Sequence, residues 1–111
     1  MIENCPDVEN FILMGADVID YQPNDGYWCY KFKDDRGVEL FFSFDIFEGS
    51  VQVLIQLHNH TISIISHEDV VGIFLKGDKI ISSDIAVQGQ QIKMEVAIYP
   101  SIEVEYSAIT I

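Results

Sequence analysis

From Val38 onward every second residue is apolar: Val38, Leu40, Phe42, Phe44 and Ile46 share one parity, while Glu39, Ser43 and Asp45 fall on the other, interrupted by Phe41. A period of two sends alternate side chains to opposite faces of an extended chain, so this run cannot line one face of a helix. It specifies a strand buried on one side. The run before it reads the same way, with Trp28, Tyr30 and Phe32 against Tyr27, Cys29, Lys31 and Lys33.

The connection between these runs sets their register. Cross-strand neighbours share a face, so Phe32 must oppose an even-numbered residue. A three-residue loop Asp35-Arg36-Gly37 satisfies this, with Gly37 in the left-handed position of a type I turn plus bulge. It predicts Phe32 opposite Leu40, Tyr30 opposite Phe42 and Trp28 opposite Phe44, with Lys33 opposite Glu39 as a charge pair. A four-residue loop 47–50 then predicts Ile46 opposite Val51 and Phe44 opposite Val53. Asn59-His60 reads as a two-residue turn into Thr61–Ile65, which makes residues 27–65 a four-stranded meander.

The C-terminal half repeats the pattern. Ile92, Met94, Val96 and Ile98 alternate with Gln91, Lys93, Glu95 and Ala97. After Tyr99-Pro100-Ser101, Ile102, Val104, Tyr106 and Ala108 alternate with Glu103, Glu105 and Ser107. This hairpin pairs Val96 with Val104 and sets Glu95 directly against Glu105. Between the two halves, Ser66 and Asp69 could cap a short helix. Gly72 and the β-branched pair Val70-Val71 favour a strand over 70–75 instead. Lys76–Lys79 then turns into Ile80-Ile81. Ser82–Gln90 is polar and reads as a connection or weak edge strand. Pro6–Asn10 predicts a short helix, broken by Gly15 before a strand Ala16–Tyr21. The expected fold is all-β: an antiparallel sandwich or partly open barrel with one or two short helices, as a single domain over 1–111.

On this scaffold sit 18 acidic and 6 basic side chains, a net charge of −12, although 49% of residues are hydrophobic. A disordered acidic tail would lack the apolar half. The charge disfavours nucleic acid and anionic membranes as ligands, because both demand Lys and Arg. It favours a basic protein partner. Two cysteines with no secretory leader or apolar span imply reduced thiols in a cytoplasmic protein.

No motif for chemistry emerges. His58-Asn59-His60 sits in the expected turn, and with His67 it lacks the further ligands of a structural zinc site. There is no Gly-x-Ser-x-Gly elbow and no glycine-rich phosphate loop. We therefore expect no catalytic residues, no metal and no cofactor. Two acidic groups are candidates for contact with a partner. One is Glu95, Glu103 and Glu105, where like charges face each other at a cost that a partner's Lys or Arg would relieve. The other surrounds the first hairpin: Asp34, Asp35, Glu39, Asp45 and Glu48. Phe41, Leu54 and Ile65 fall on the polar face of the meander and are expected to be buried beneath the terminal segments. Left uncovered, they would form an apolar patch ringed by acids.

The small size, the stretch from Asp35 to Asp45 (Asp-Arg-Gly-Val-Glu-Leu-Phe-Phe-Ser-Phe-Asp) and the closing Ile102-Glu103-Val104-Glu105-Tyr106 resemble the small acidic immunity proteins of bacterial contact-dependent inhibition and related polymorphic toxin systems. The resemblance implies a cytoplasmic, non-enzymatic protein that binds one cognate toxin domain, often a basic nuclease such as an RNase, and blocks its active site. Alternatives left open are a β-domain binding a small molecule or carbohydrate in its interior, an enzyme with a histidine beside a carboxylate, and a homo-oligomer paired through strand edges.

Overall fold

The computed structural model describes residues 1–110; Ile111, the end of the expected domain, lies outside the described residues. The chain opens with helix α1 (Val8–Leu13) and continues as nine strands. Strands β1 (Asp17–Gln22), β2 (Tyr27–Lys33), β3 (Val38–Asp45), β4 (Ser50–Leu57) and β5 (His60–His67) form one antiparallel sheet in sequence order. Strands β6 (Val70–Lys76), β7 (Ile80–Val87), β8 (Gln90–Ala97) and β9 (Glu103–Thr110) form a second. Each sheet is a meander, which needs only short local turns. The two pack face to face as an open sandwich rather than a closed barrel.

The even-numbered faces of β2 and β3 supply Tyr30, Phe32, Leu40, Phe42 and Phe44 to the core. The second sheet answers with Ile73, Ile81, Ile85, Met94 and Val96. A six-residue helix is too short to persist alone. It is held by Phe11, fully buried and stacked on Tyr30 with ring centroids 4.2 Å apart. The N-terminal segment ties the two sheets together: Ile2 N–H donates to the Ile46 carbonyl at 2.8 Å, and Glu3 N–H to the Val71 carbonyl at 2.9 Å.

The first hairpin has the expected register, including Phe32–Leu40 and Lys33–Glu39, with Gly37 at φ 82°. The C-terminal hairpin does too, with Val96 against Val104 and Glu95 against Glu105. Residues 70–76 are a strand, and helix α1 and Gly15 precede β1 as expected.

Three expectations are corrected. Across β3 and β4, Phe44 faces Val51 and Phe42 faces Val53, two residues from the expected pairing. The loop is 46–49, because Ile46 leaves the ladder: its N–H bonds the Gly26 carbonyl and its carbonyl accepts Ile2 N–H. Gly49, at φ 70°, closes that turn. The β4–β5 turn is His58-Asn59, both left-handed at φ 52° and 64°, rather than Asn59-His60. A bulge after Ile55 completes the change, so Leu54 pairs with Ile64 and Ile65 turns inward opposite Val53. A one-residue shift exchanges the faces of a strand.

The third correction is the polar segment Ser82–Gln90, most of which belongs to β7, an interior strand between β6 and β8. Ser82 and Ser83 are wholly buried there, and neither hydroxyl has a hydrogen-bond partner. Ser83 lies on the core face between Ile73 and Met94. Burying an unpaired hydroxyl is costly. Ser83→Ala is therefore expected to raise stability by about 1 kcal/mol, read as a higher urea midpoint at unchanged slope.

Candidate interaction surfaces

The acids of the first hairpin do not form one patch. Strand β3 is eight residues long and separates Asp34 and Asp35 from Asp45 and Glu48 by about 25 Å. Asp34 is not offered to a partner at all. Its side chain is fully buried and accepts hydrogen bonds from the backbone of Arg36 (2.9 Å), Val38 (3.0 Å) and Ile102 (3.2 Å), with the Arg36 guanidinium at 3.2 Å. Burial pushes this carboxyl up, but the bonds from Ile102, Val38 and Arg36 outweigh it and hold the group below the usual carboxylate range. Asp34 is a staple between the β2–β3 turn and the start of β9. Asp35 is exposed in the turn itself.

Glu39 lies on the outer face of the first sheet. Its ion partner is Lys31 at 2.6 Å, the diagonal neighbour, and not the directly opposed Lys33. The hydrogen bond from Lys31 lowers the Glu39 carboxyl. Asp45 and Glu48 sit at the far turn, where Asp45 Oδ1 accepts Glu48 N–H at 3.0 Å. Together with Glu68, Tyr27 and His67 they line an open cleft of about 420 Å³. Glu68 is not legible as a member of this group from sequence, because only the β5–β6 turn brings it beside Glu48.

On the other sheet, Glu95 and Glu105 are directly opposed and Glu103 lies two residues along its strand, opposite Ala97. The chain relieves part of that repulsion itself, through Lys76 Nζ at 2.9 Å from Glu95. Lys93 similarly lies 3.8 Å from Asp84.

The outer face of the first sheet departs most from expectation. Phe41 and Leu54 are half-buried and belong to no core, and no described element lies over them. Ile64, not Ile65, completes their row and is 58% exposed. The residues run directly across three strands, Phe41 to Leu54 to Ile64. Beside them runs a shallow groove of about 230 Å³, lined by Tyr27, Cys29, Phe41, Ser43, Leu54 and Gln56 among others. Residue parity places Phe41 and Leu54 on this face; the absence of cover and the presence of Ile64 are not legible from it.

Both cysteines are free. Cys29 is on the outer groove, while Cys5 lies on the core side of β2, against Trp28 and Tyr30. Burial, helped by Asp7, pushes the Cys5 thiol up to about 12, far from the range of a reactive thiolate. The three histidines do not converge, and the described residues contain no group of three or more His, Cys, Asp or Glu placed to hold a metal. His67 instead joins the two sheets at their open side, with Nε2 2.8 Å from the Tyr106 hydroxyl. The sandwich interior is filled by its aromatic and aliphatic side chains. A surface cleft of about 490 Å³ lies between the N-terminal segment, α1 and β6. No described helix is long and apolar enough to cross a membrane.

A solved structure is similar to this fold over almost its full length. It is a chain of the contact-dependent growth inhibition toxin–immunity protein complex from Klebsiella pneumoniae 342, matched with a TM-score of 0.84 at 25% identity. The match covers 97% of this chain and 98% of that one. The likeness to contact-dependent inhibition proteins seen in the residue pattern thus extends to three dimensions. No family model matches the sequence, and no curated protein does.

Proposed function

We propose that this chain is a cytoplasmic, non-enzymatic immunity protein that neutralises one cognate toxin domain by covering its active site, and that the toxin is a basic nuclease, specifically an RNase. The observation that carries the reading is the end-to-end likeness to a chain of a toxin–immunity complex. Charge supports the immunity side of that complex. A nuclease must attract phosphates with cations, whereas this chain has 6 basic side chains against 18 acidic ones. Its carboxylates suit a surface built to bind nucleic acid, so the inhibitor would compete with the substrate for the same cations. No metal, cofactor or nucleic acid is needed for this action.

Apart from the buried Asp34, the candidate acids fall into two contact groups, with Asp35, Glu48, Glu103 and Glu105 exposed and Glu39, Asp45 and Glu95 half-buried. Glu39, Asp45 and Glu48 belong to the first sheet and its far turn, with Asp35 at the near turn; Glu95, Glu103 and Glu105 belong to the second sheet. All contribute to the long-range field that steers association.

The test uses the cognate toxin domain, to be sought as the C-terminal domain of a large secreted protein encoded next to this chain. A 1:1 complex and loss of the domain's RNase activity are expected. Raising sodium chloride from 50 to 500 mM should weaken binding at least about tenfold, mainly by slowing association. Absence of a complex would overturn the reading, and salt-independent affinity would remove its electrostatic basis.

A further inference from the structure

We propose that the toxin seats on the outer face of the five-stranded sheet, with the row Phe41–Leu54–Ile64 as its apolar anchor. This rests on the immunity reading above and selects one of its two surfaces. The occupant would present an apolar side chain to the groove and Lys or Arg side chains around it.

Three observations converge on this face. First, it is a sheet surface without a covering layer among the described residues. Soluble domains normally bury large apolar side chains in a row, and an uncovered row inside a polar surround has the anatomy of a binding hot spot. Ser43 and Gln56 flank the row, and Thr61 and Ser66 lie along the β5 side. Second, the rim is anionic. Asp17 and Asp20 on β1 and Asp45 on β3 lie on this face by register, and the cleft carrying Glu48 and Glu68 adjoins Asp45. The charge of Lys31 is taken up by Glu39 at 2.6 Å, and its Nζ lies 5.8 Å over the Phe41 ring. Among the described residues of β1 to β3 on this face, Lys33 remains to oppose the rim carboxylates.

Third, the opposite outer face lacks such an apolar row. Its central rows contain Gly72, Ser82 and Ala97, with Phe74 folded over Gly72. Its lysines are answered from within, Lys76 by Glu95 and Lys93 by Asp84, and its exposed acids Glu103 and Glu105 lie on the edge strand β9 without an apolar row beside them. A second copy of this chain is a poor occupant for the first face. Each copy carries a charge of −12, and face-to-face docking would press acidic rim on acidic rim.

Affinity for the same toxin domain, measured by calorimetry, distinguishes the outcomes. Ile64→Lys changes an exposed side chain and should weaken binding at least 30-fold. Leu13→Lys makes the same charge change on α1, where Leu13 is 77% exposed, and should stay within threefold of wild type. The pair Leu54→Ala with Ile64→Ala should weaken binding at least 100-fold. Thermal melts accompany each variant; should the double variant unfold, the comparison of Ile64→Lys with wild type is sufficient. Wild-type binding that Ile64→Lys leaves within threefold overturns this surface while sparing the immunity reading. Failure of the wild type to bind overturns both. A wild-type dimer that Ile64→Lys dissociates would give the face to a second copy and likewise overturn the proposal.

Discussion

Phe11→Ala should lower the midpoint of thermal unfolding by about 15 °C, corresponding to a loss of about 4 kcal/mol. Phe11 is fully buried although the helix that carries it has six residues. Its ring stacks on Tyr30 at 4.2 Å and packs against Phe44 at 5.9 Å and Phe42 at 6.4 Å. Truncation removes the transfer free energy of the ring and leaves a cavity between rigid strands, which cannot collapse to fill it. The loss has a second component. Without its anchor the helix has no reason to stay folded, so the segment from Val8 to Leu13 should lose amide protection along with the global change. Chemical denaturation and hydrogen exchange test both parts. A loss under about 1 kcal/mol would mean that the aromatic cluster closes without Phe11.

Asp34→Ala should cost about 3 kcal/mol at pH 7, because it leaves buried backbone donors of Val38 and Ile102 without an acceptor. The loss should depend on pH. The Asp34 carboxyl is held below its ordinary value in the folded chain, so it binds fewer protons there than when unfolded. Its stabilisation is present in full above the unfolded value near pH 4 and fades as pH falls through the lower folded value. Urea midpoints of wild type and variant should therefore lie far apart at pH 7 and draw together as pH falls below the unfolded value of about 4. A gap of constant size would show that geometry rather than ionisation carries the effect. Binding to the proposed toxin partner, once corrected for stability, should be unaffected, since the side chain is not at the surface.

The two predictions rest on residues that differ in how far the sequence reveals them. Phe11 occupies a segment whose helix is readable from Asp7, Glu9 and Gly15, but nothing local shows that its ring closes the core. Asp34 reads as one more turn acid. Its bond to Ile102 spans 68 residues, and only the meeting of two hairpins creates it.

The candidate surface divides in the same way. Alternation and the Asp35-Arg36-Gly37 turn identify Phe41 and Leu54 as outward-facing, and alternation about Tyr99-Pro100-Ser101 identifies Glu95 as facing Glu105. Parity names Ile65 as the third member of the apolar row, whereas the structure has Ile64, because the turn lies one residue earlier and β4–β5 carries a bulge. The expected Phe44–Val53 pairing is displaced by two for a related reason: Ile46 is drawn out of the strand by Gly26 and Ile2, both remote in sequence. The polarity of Ser82, Ser83 and Asp84 conceals β7, although it is the second strand of its sheet. Buried polar residues contradict the pattern that marks a strand, and only neighbours on both sides reveal one.

Sequence alone thus determined which segments extend, β7 excepted, which faces β2 and β3 bury, and the register of the β2–β3 and β8–β9 hairpins. It also determined the excess of carboxylates, a sum that needs no coordinates. Tertiary structure decided which acids are exposed and which are consumed, how the strands divide into two sheets, and which outward face lacks a cover. The physical reason is range: strand periodicity and turn geometry act between near neighbours, whereas burial and pairing depend on what the rest of the chain places opposite.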